Sequence, residues 1–342
     1  MRTPMHGQDP ELLIGICTFR RPELARALES LARLRSCGMT VGIAIADNDT
    51  TPSAQALVAR IAASHPLPIT YLHAPERNIS IARNALLDHA RATGARLHVS
   101  FDDDQTAEPE WLEQTVQTWR EGQRDPAGPF GVVLGPVRAM YQPGSPRWLE
   151  RGGLHDTLPV TDRKGTIISG YTGNTLFDMA DPALQGLRFD VARGRTGGED
   201  TAFFSDYLAA GGRIAFAPGA VVHEVVPQDR ASLKWLLKRR YRMGQTHASL
   251  VARGRSRAGR LRAAGIAAAK AAACGGMALV GAGDPVRRNR QLMRAALHVG
   301  AGAYLAGAPR IELYGTAPEG AKPAASIAAD GIGPNGMGPK GT

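Results

Sequence analysis

The sequence predicts an α/β protein: a mostly parallel central sheet flanked by helices, followed by a basic helical appendage. Three observations predict it. Strand-like and helix-like segments alternate from residue 12 onward, the strand-like ones are continuously apolar, and polar residues collect where those strands end. A strand covered on both faces needs a continuous apolar run, and the crossover helices between parallel strands supply the cover.

The elements follow in order. "LLIGICTF" at 12–19 reads as a buried strand, and "RRPE" turns it into a helix over 23–34 with Leu24, Leu28 and Leu31 on one face. "VGIAIADND" at 41–49 is a second buried strand, 53–63 a helix, and "ITYLHA" at 69–74 a third strand. "ISIARNALLDHARATG" at 79–94 is a helix ending at Gly94, and "RLHVSFDDD" is the fourth strand. "EPEWLEQTVQTW" reads as a helix, 130–141 as one strand, 142–166 as a Pro/Gly-rich loop, and 170–179 as a further strand. "GGEDTAFFSDYLAAGG" at 197–212 turns into a helix, and 213–227 reads as two short strands.

Charge is distributed unevenly. Residues 228–298 carry 16 Lys/Arg against 2 Asp/Glu, a surplus above the +10 of the whole chain, so everything before them is acidic on balance. That region begins with an amphipathic helix, 231–251, whose Leu233, Leu236, Leu237, Tyr241 and Ala248 share one face, with a solvated or membrane-facing basic face opposite. The Ala/Gly-rich run 263–283 is long enough to test as a transmembrane span, but Lys270 interrupts it and large apolar residues are few, so packed or interfacial helices are expected. A basic region of this kind suits an anionic membrane surface; aromatic residues are only 6% and no nucleic-acid module is present, so nucleic acid is not expected. Three widely spaced cysteines give no disulfide framework, and "MRTPMHGQDPELLIG" has no apolar signal core, so a cytoplasmic protein at the inner face of the membrane is expected.

The residues that carry chemistry sit at strand ends, where open α/β sheets bind their ligands. No G-x-G-x-x-G follows the first strand and no G-x-x-x-x-G-K-[ST] occurs. Instead Asp102, Asp103 and Asp104 close the fourth strand. Three adjacent carboxylates repel one another, and a hard divalent cation, Mg²⁺ or Mn²⁺, relieves that repulsion while leaving positions open for phosphate. The "GGED" turn places Glu199 and Asp200 at a helix start, where acids are favoured.

In this order "ICTFRRPE", "IADND", "ERNISIARN", "FDDDQTAEPEWL", "GYTGNTLF", "GGED" and "VVHE" resemble the family 2 glycosyltransferases of the GT-A fold, in particular bacterial exopolysaccharide and succinoglycan-type glucosyltransferases, over about residues 12–245. The resemblance implies a nucleotide-diphospho-sugar transferase. By it, Asp102 and Asp104 are the metal and nucleotide-sugar ligands, although the run of three leaves the spacer open by one residue. Thr18, Asp47 and an arginine of "ERNISIARN", Arg83 or else Arg77, contact the nucleotide. Asn174 shapes the sugar pocket, His223 completes the metal site, Asp200 is the general base and Glu199 supports it. The expected reaction is inverting transfer from a nucleotide-diphosphate sugar to a glycan or lipid-linked acceptor, with Arg239, Arg240 and Arg242 as candidates for holding a diphosphate. The expected organisation is a flexible N-terminus 1–11, a catalytic domain 12–230, a basic Ala-rich helical region 231–315 and a disordered tail 316–342. A sugar-nucleotide nucleotidyltransferase is the alternative enzyme, disfavoured because "TFRRPE" lacks the glycines of its phosphate loop; the non-enzymatic alternative is a protein that binds anionic surfaces or nucleic acid.

Overall fold

A computed structural model describes residues 9–311. The tail expected over 316–342, and most of the N-terminal segment 1–11, lie outside the described residues. The first half runs β1 (Leu12–Thr18), α1 (Leu24–Leu31), β2 (Val41–Asp47), α2 (Gln55–Ala62), β3 (Ile69–His73), α3 (Ile79–Ala92) and β4 (Leu97–Asp102). β1 pairs in parallel with both β2 and β4, and β2 with β3. The register sets Thr18 beside Asp47 and Cys17 beside Asp102, so three strand ends share one edge.

Both faces of these strands are covered, which is why their apolar runs do not alternate. Leu12, Ile14 and Ile16 pack with Leu24, Leu28 and Val58 on one face. Leu13 packs with Ala82, Leu86 and Ala90 of α3 on the other. Each such side chain contributes about 1.5–3 kcal/mol by leaving water. β1 approaches β4 closely at Gly15, where a Cβ would press on the ring of His98. That ring is buried and stacked on Phe177, and burial pushes its pKa down to about 4.

The second half runs β5 (Gln105–Ala107), α4 (Trp111–Gly122), β6 (Val132–Leu134), β7 (Val137–Tyr141), α5 (Arg147–Gly152), β8 (Val160–Thr161), β9 (Ile167–Ser169), β10 (Asn174–Asp178), α6 (Glu199–Ala209), β11 (Ile214–Phe216) and β12 (Val222–Val226). The main sheet has the order β11-β6-β10-β4-β1-β2-β3, with β10 antiparallel to both neighbours. A second sheet, β5-β12-β7, leans over the edge that carries the strand ends.

Two expectations need correction. The single strand read over 130–141 is two strands in two sheets, broken at Gly135–Pro136. Pro136 has no N–H to donate, and a side chain at Gly135 would overlap the Asn174 amide and the Ala220 carbonyl. The loop read over 142–166 contains the short helix α5 and one strand of the β8–β9 hairpin. Its Pro and Gly residues mark the ends of these elements instead of excluding them.

Three long helices follow: α7 (Leu233–Val251), α8 (Arg257–Val280) and α9 (Pro285–Leu305). Ser232, Ser256 and Asp284 cap their N-termini, each side chain accepting a backbone N–H two or three residues on. α7 is not the solvated amphipathic helix that its sequence predicts. Gly244, Gln245, Thr246 and Ser249 are buried between the catalytic core and α9. The α7–α9 crossing closes onto two glycines: a Cβ at Gly244 would overlap the carbonyl of Leu297, and one at Gly300 the carbonyl of Tyr241. Helices approach this closely only where one side contributes no side chain.

Candidate active site

A polar cavity of about 240 Å³ opens where the strand ends, the second sheet and α7 meet. Asp102 reaches it from β4, Arg83 from α3, Glu199 and Asp200 from the first turn of α6, Glu224 from β12, and Arg239 and Arg242 from α7. The turn into α6 depends on its two glycines. Gly197 and Gly198 have φ of +77° and +84°, a left-handed conformation that other residues adopt at a cost. A Cβ at Gly198 would also overlap the Thr246 side chain of α7. This turn aims Glu199 and Asp200 into the cavity from a helix N-terminus, whose partial positive charge favours them.

The three adjacent aspartates do different things. Asp103 is buried and turned away from the cavity; its Oδ2 accepts a 2.7 Å hydrogen bond from the Thr18 hydroxyl, which ties the end of β4 to the end of β1. Asp104 is half-buried, with Oδ2 3.9 Å from Nη2 of Arg21, and its charge acts on Asp102 and Glu224. Of the three, Asp102 alone lines the cavity.

Arg83 organises the acids around it. Its guanidinium donates to Oε1 of Glu199, and both side chains are almost wholly enclosed. Burial works against the charge on Arg83, and the Glu199 carboxylate outweighs it, with Asp102 and Asp200 adding to the effect. The arginines around the cavity do not offset the burial of its acids. Burial, opposed by Arg83 and reinforced by Asp104 and Glu224, pushes Asp102 up to about 7. Burial pushes Asp103 up to about 6 against the Thr18 hydrogen bond. Asp200 is raised by burial and by Glu199, and Glu224 by burial and Asp104.

These donors fit a hard divalent cation. They are carboxylate oxygens, largely buried, and burial raises the pKa values of Asp102 and Glu224, a shift that a bound cation would oppose. Among the described residues no three His, Cys, Asp or Glu side chains are grouped closely enough to hold an ion by themselves. A cation here needs ligands from a substrate, as Mg²⁺ commonly does at phosphate sites.

The comparisons with known proteins decide the family. Residues 13–175 match the model described as Glycosyl transferase family 2. The succinoglycan biosynthesis protein ExoM of Rhizobium meliloti (strain 1021) is 46% identical over 306 residues, 88% of this chain and 95% of that protein. This chain belongs to glycosyl transferase family 2. As a family 2 member it is a glycosyltransferase, and neither the nucleotidyltransferase nor the nucleic-acid reading has support. Among solved structures it is similar to the mannosyltransferase PcManGT from Pyrobaculum calidifontis in complex with GDP-Man and Mn²⁺. The TM-score is 0.55 at 20% identity, covering 86% of this chain and 87% of the other, a likeness that shows the GT-A fold. The segment matched to the family 2 model ends before α6, so Asp200, Glu224, Arg239 and Arg242 all lie beyond it.

Several residues expected at this glycosyltransferase site stand elsewhere. His223 turns out of the cavity and shares a 2.7 Å hydrogen bond with Oε1 of Glu108. Successive residues of a strand face opposite sides, so the residue of β12 that meets Asp102 and Asp104 is Glu224. Asn174 is fully committed within the core: Oδ1 accepts from Trp111 Nε1 at 2.8 Å, and Nδ2 donates to the carbonyls of Pro136 and Ala220. It pins two turns under the cavity and does not line it. Asp47 is buried and accepts from Tyr71 and from the amides of Asp49 and Ala54, which shapes the turn after β2. Of the two candidate arginines, Arg83 lies inside the cavity. Arg77 is exposed, with φ +44°, 5.6 Å from the centre of the Phe19 ring. Arg239 and Arg242, two of the three α7 arginines named as diphosphate candidates, line the cavity, and Arg240 does not. Glu224 was missed as a wall residue, although its opposite parity to His223 along β12 was available as a signal.

The raised acids make stability depend on pH. A carboxyl whose pKa is raised on folding stabilises the fold below its unfolded value and loses that contribution as pH rises through the folded value, here from about 4 to about 7 for Asp102. Buried His98 and His155, whose pKa values burial lowers to about 4, slope the other way below their ordinary range. The readout is therefore a difference. Asp102→Asn is expected to gain melting temperature relative to the metal-free wild type as pH rises from about 5 to about 8. A difference that stays constant across that range would contradict the assignment of Asp102 as an under-compensated buried acid.

Proposed function

We propose that this enzyme transfers a sugar, with inversion, from a nucleotide-diphosphate sugar to a hydroxyl of a glycan or lipid-linked acceptor in the synthesis of a bacterial exopolysaccharide. One observation carries the reading: a single polar cavity brings Asp102, at the end of β4, together with Asp200, at the start of α6. The likeness to the succinoglycan biosynthesis protein ExoM, 46% identical over nearly its whole length, supports the pathway.

Asp102 and Asp104 would hold Mg²⁺ or Mn²⁺. When bound, the ion neutralises charge on the diphosphate leaving group. The chain's own residues do the rest. Thr18 and Asp103 lock the ends of β1 and β4 together, so the donor-side carboxylates are fixed in place. Asp200 accepts the proton of the acceptor hydroxyl as its oxygen bonds to the anomeric carbon and the bond from that carbon to the diphosphate oxygen breaks. The raised pKa brings Asp200 toward the working pH, where a carboxylate makes a better base. Glu199 is occupied by Arg83, which leaves Asp200 as the acid able to take a proton. Arg239 and Arg242 put positive charge on the α7 wall, suited to the departing diphosphate or to a phosphate on the acceptor.

The test uses the full chain with UDP- and GDP-sugars, Mg²⁺ or Mn²⁺ and a bacterial lipid extract, following release of the nucleoside diphosphate. The expected result is release that needs one donor, an acceptor and a divalent cation, and that stops on chelation. Equal release with and without chelator would refute the metal requirement; no release with any donor would refute the transfer itself.

A further inference from the structure

Helix α8 is built with its large side chains on the wrong side for a soluble protein. Leu261, Ile266, Met277, Leu279 and Val280 are 51–91% exposed, whereas the residues it buries are Ala267, Cys274 and Ala278. A helix folded against a core in water shows the reverse pattern. The inner stripe is sealed against α9, where Gly302 lies against Ala264 and Ala267. The outer face from Gly265 to Val280 is apolar except for the exposed Lys270, which lies four residues from Ile266 and seven from Met277 and so shares their side of the helix.

The charge around this face has one sign. Arg257, Arg260 and Arg262 are exposed on the first turns of α8, and Arg287, Arg290 and Arg294 are exposed on α9. No acidic residue occurs between Arg257 and Val280, and the nearest one after it, Asp284, is within ion-pair distance of Arg151 and Arg287. An apolar face with a basic rim complements the surface of an anionic bilayer, with acyl chains under the face and phosphates at the rim.

By length and composition α8 could cross a membrane. Its packing argues for a different placement. Crossing would carry α9, packed along the inner stripe, into the hydrocarbon together with its arginines, and would set Lys270 mid-membrane. Lying in the plane keeps α9 on the aqueous side and leaves the Lys270 ammonium within a side chain's length of the headgroups. We propose that α8 is an in-plane anchor, its Ile266–Met277–Val280 face seated in an anionic phospholipid bilayer. Of the two basic helices expected to face a membrane, α7 puts Arg239 and Arg242 into the cavity, which leaves the contact to α8. The inference does not rest on the reaction proposed above.

The experiment is co-sedimentation of the full chain with phosphatidylcholine vesicles, with and without phosphatidylglycerol, at low ionic strength. Wild type is expected to pellet with the anionic vesicles and to be released by alkaline carbonate. The variant Ile266→Asp/Met277→Asp/Val280→Asp is expected to lose binding at least about tenfold. Ile266 and Met277 keep about half of their surface against the protein, so a second variant, Leu279→Asp/Val280→Asp, at 79% and 91% exposure, is measured beside it and is expected to keep the wild-type melting temperature while also weakening binding. Unchanged binding by either variant, or no binding by wild type, would overturn the proposal. Retention through carbonate would show a spanning helix instead. A lipid-free dimer in sedimentation velocity that the triple variant dissolves would show the face covered by a second copy, which also overturns it.

Discussion

Asp200→Asn is expected to lower kcat by about 10²–10⁴-fold while the KM for the donor sugar stays within a few-fold. The substitution keeps the size and the hydrogen bonds to Thr201, at 2.6 Å to its amide, and removes only the ability to take a proton. It also removes a buried negative charge beside Glu199, so the melting temperature is not expected to fall. The pH profile separates catalysis from structure. Because the pKa of Asp200 is raised, its carboxylate form, and with it kcat/KM, grows as pH rises through that value in wild type. The variant should lack that limb. Activity within about threefold of wild type would remove Asp200 from the mechanism.

Arg83→Met is expected to cost about 3–5 kcal/mol in urea unfolding and to abolish measurable transfer. The guanidinium is the cation that the buried Glu199 pairs with, and Asp102 and Asp200 also feel its field. Deleting it strands Glu199 in an enclosed site. The double variant Arg83→Met/Glu199→Gln should recover a large part of the lost stability without recovering activity, because removing both charges costs much less than removing one. Arg83→Lys should fall between, since a point charge on a flexible stem does not reproduce the planar fork. If Arg83→Met unfolds at the wild-type urea concentration, the ion pair is not holding the turn into α6.

The sheet was legible in the sequence because its information is local. Continuous runs such as "LLIGICT" and "VGIAIAD" are explained by the helices on both faces, and the polar strand ends fall together because parallel pairing brings Thr18, Asp47 and Asp102 to one edge. The break at Gly135–Pro136 was hidden because its cause lies 39 residues later at Asn174 and further still at Ala220. The same distance problem governed the site. Asp102, Glu199 and Asp200 were legible as acids at turn positions, but whether an acid or amide faces the cavity depends on partners elsewhere. Asn174 is taken up by Trp111, His223 by Glu108, and Glu199 by Arg83. Helix α7 was misjudged because it was read alone, as an amphipathic surface, while its far side is buried against α9.

The tight glycine crossing of α7 and α9 bears on how such enzymes diversify. It fastens the cavity wall carrying Arg239 and Arg242 to a helical region that contributes nothing to the main sheet. The strands that present Thr18 and Asp102 are built entirely before that region begins. The two halves of the cavity can thus change at separate rates. Exchanging the C-terminal helices would reshape the wall that carries Arg239 and Arg242 while the wall that carries Asp102 keeps its form, provided Thr246 or a residue as small still meets Gly198 at the seam.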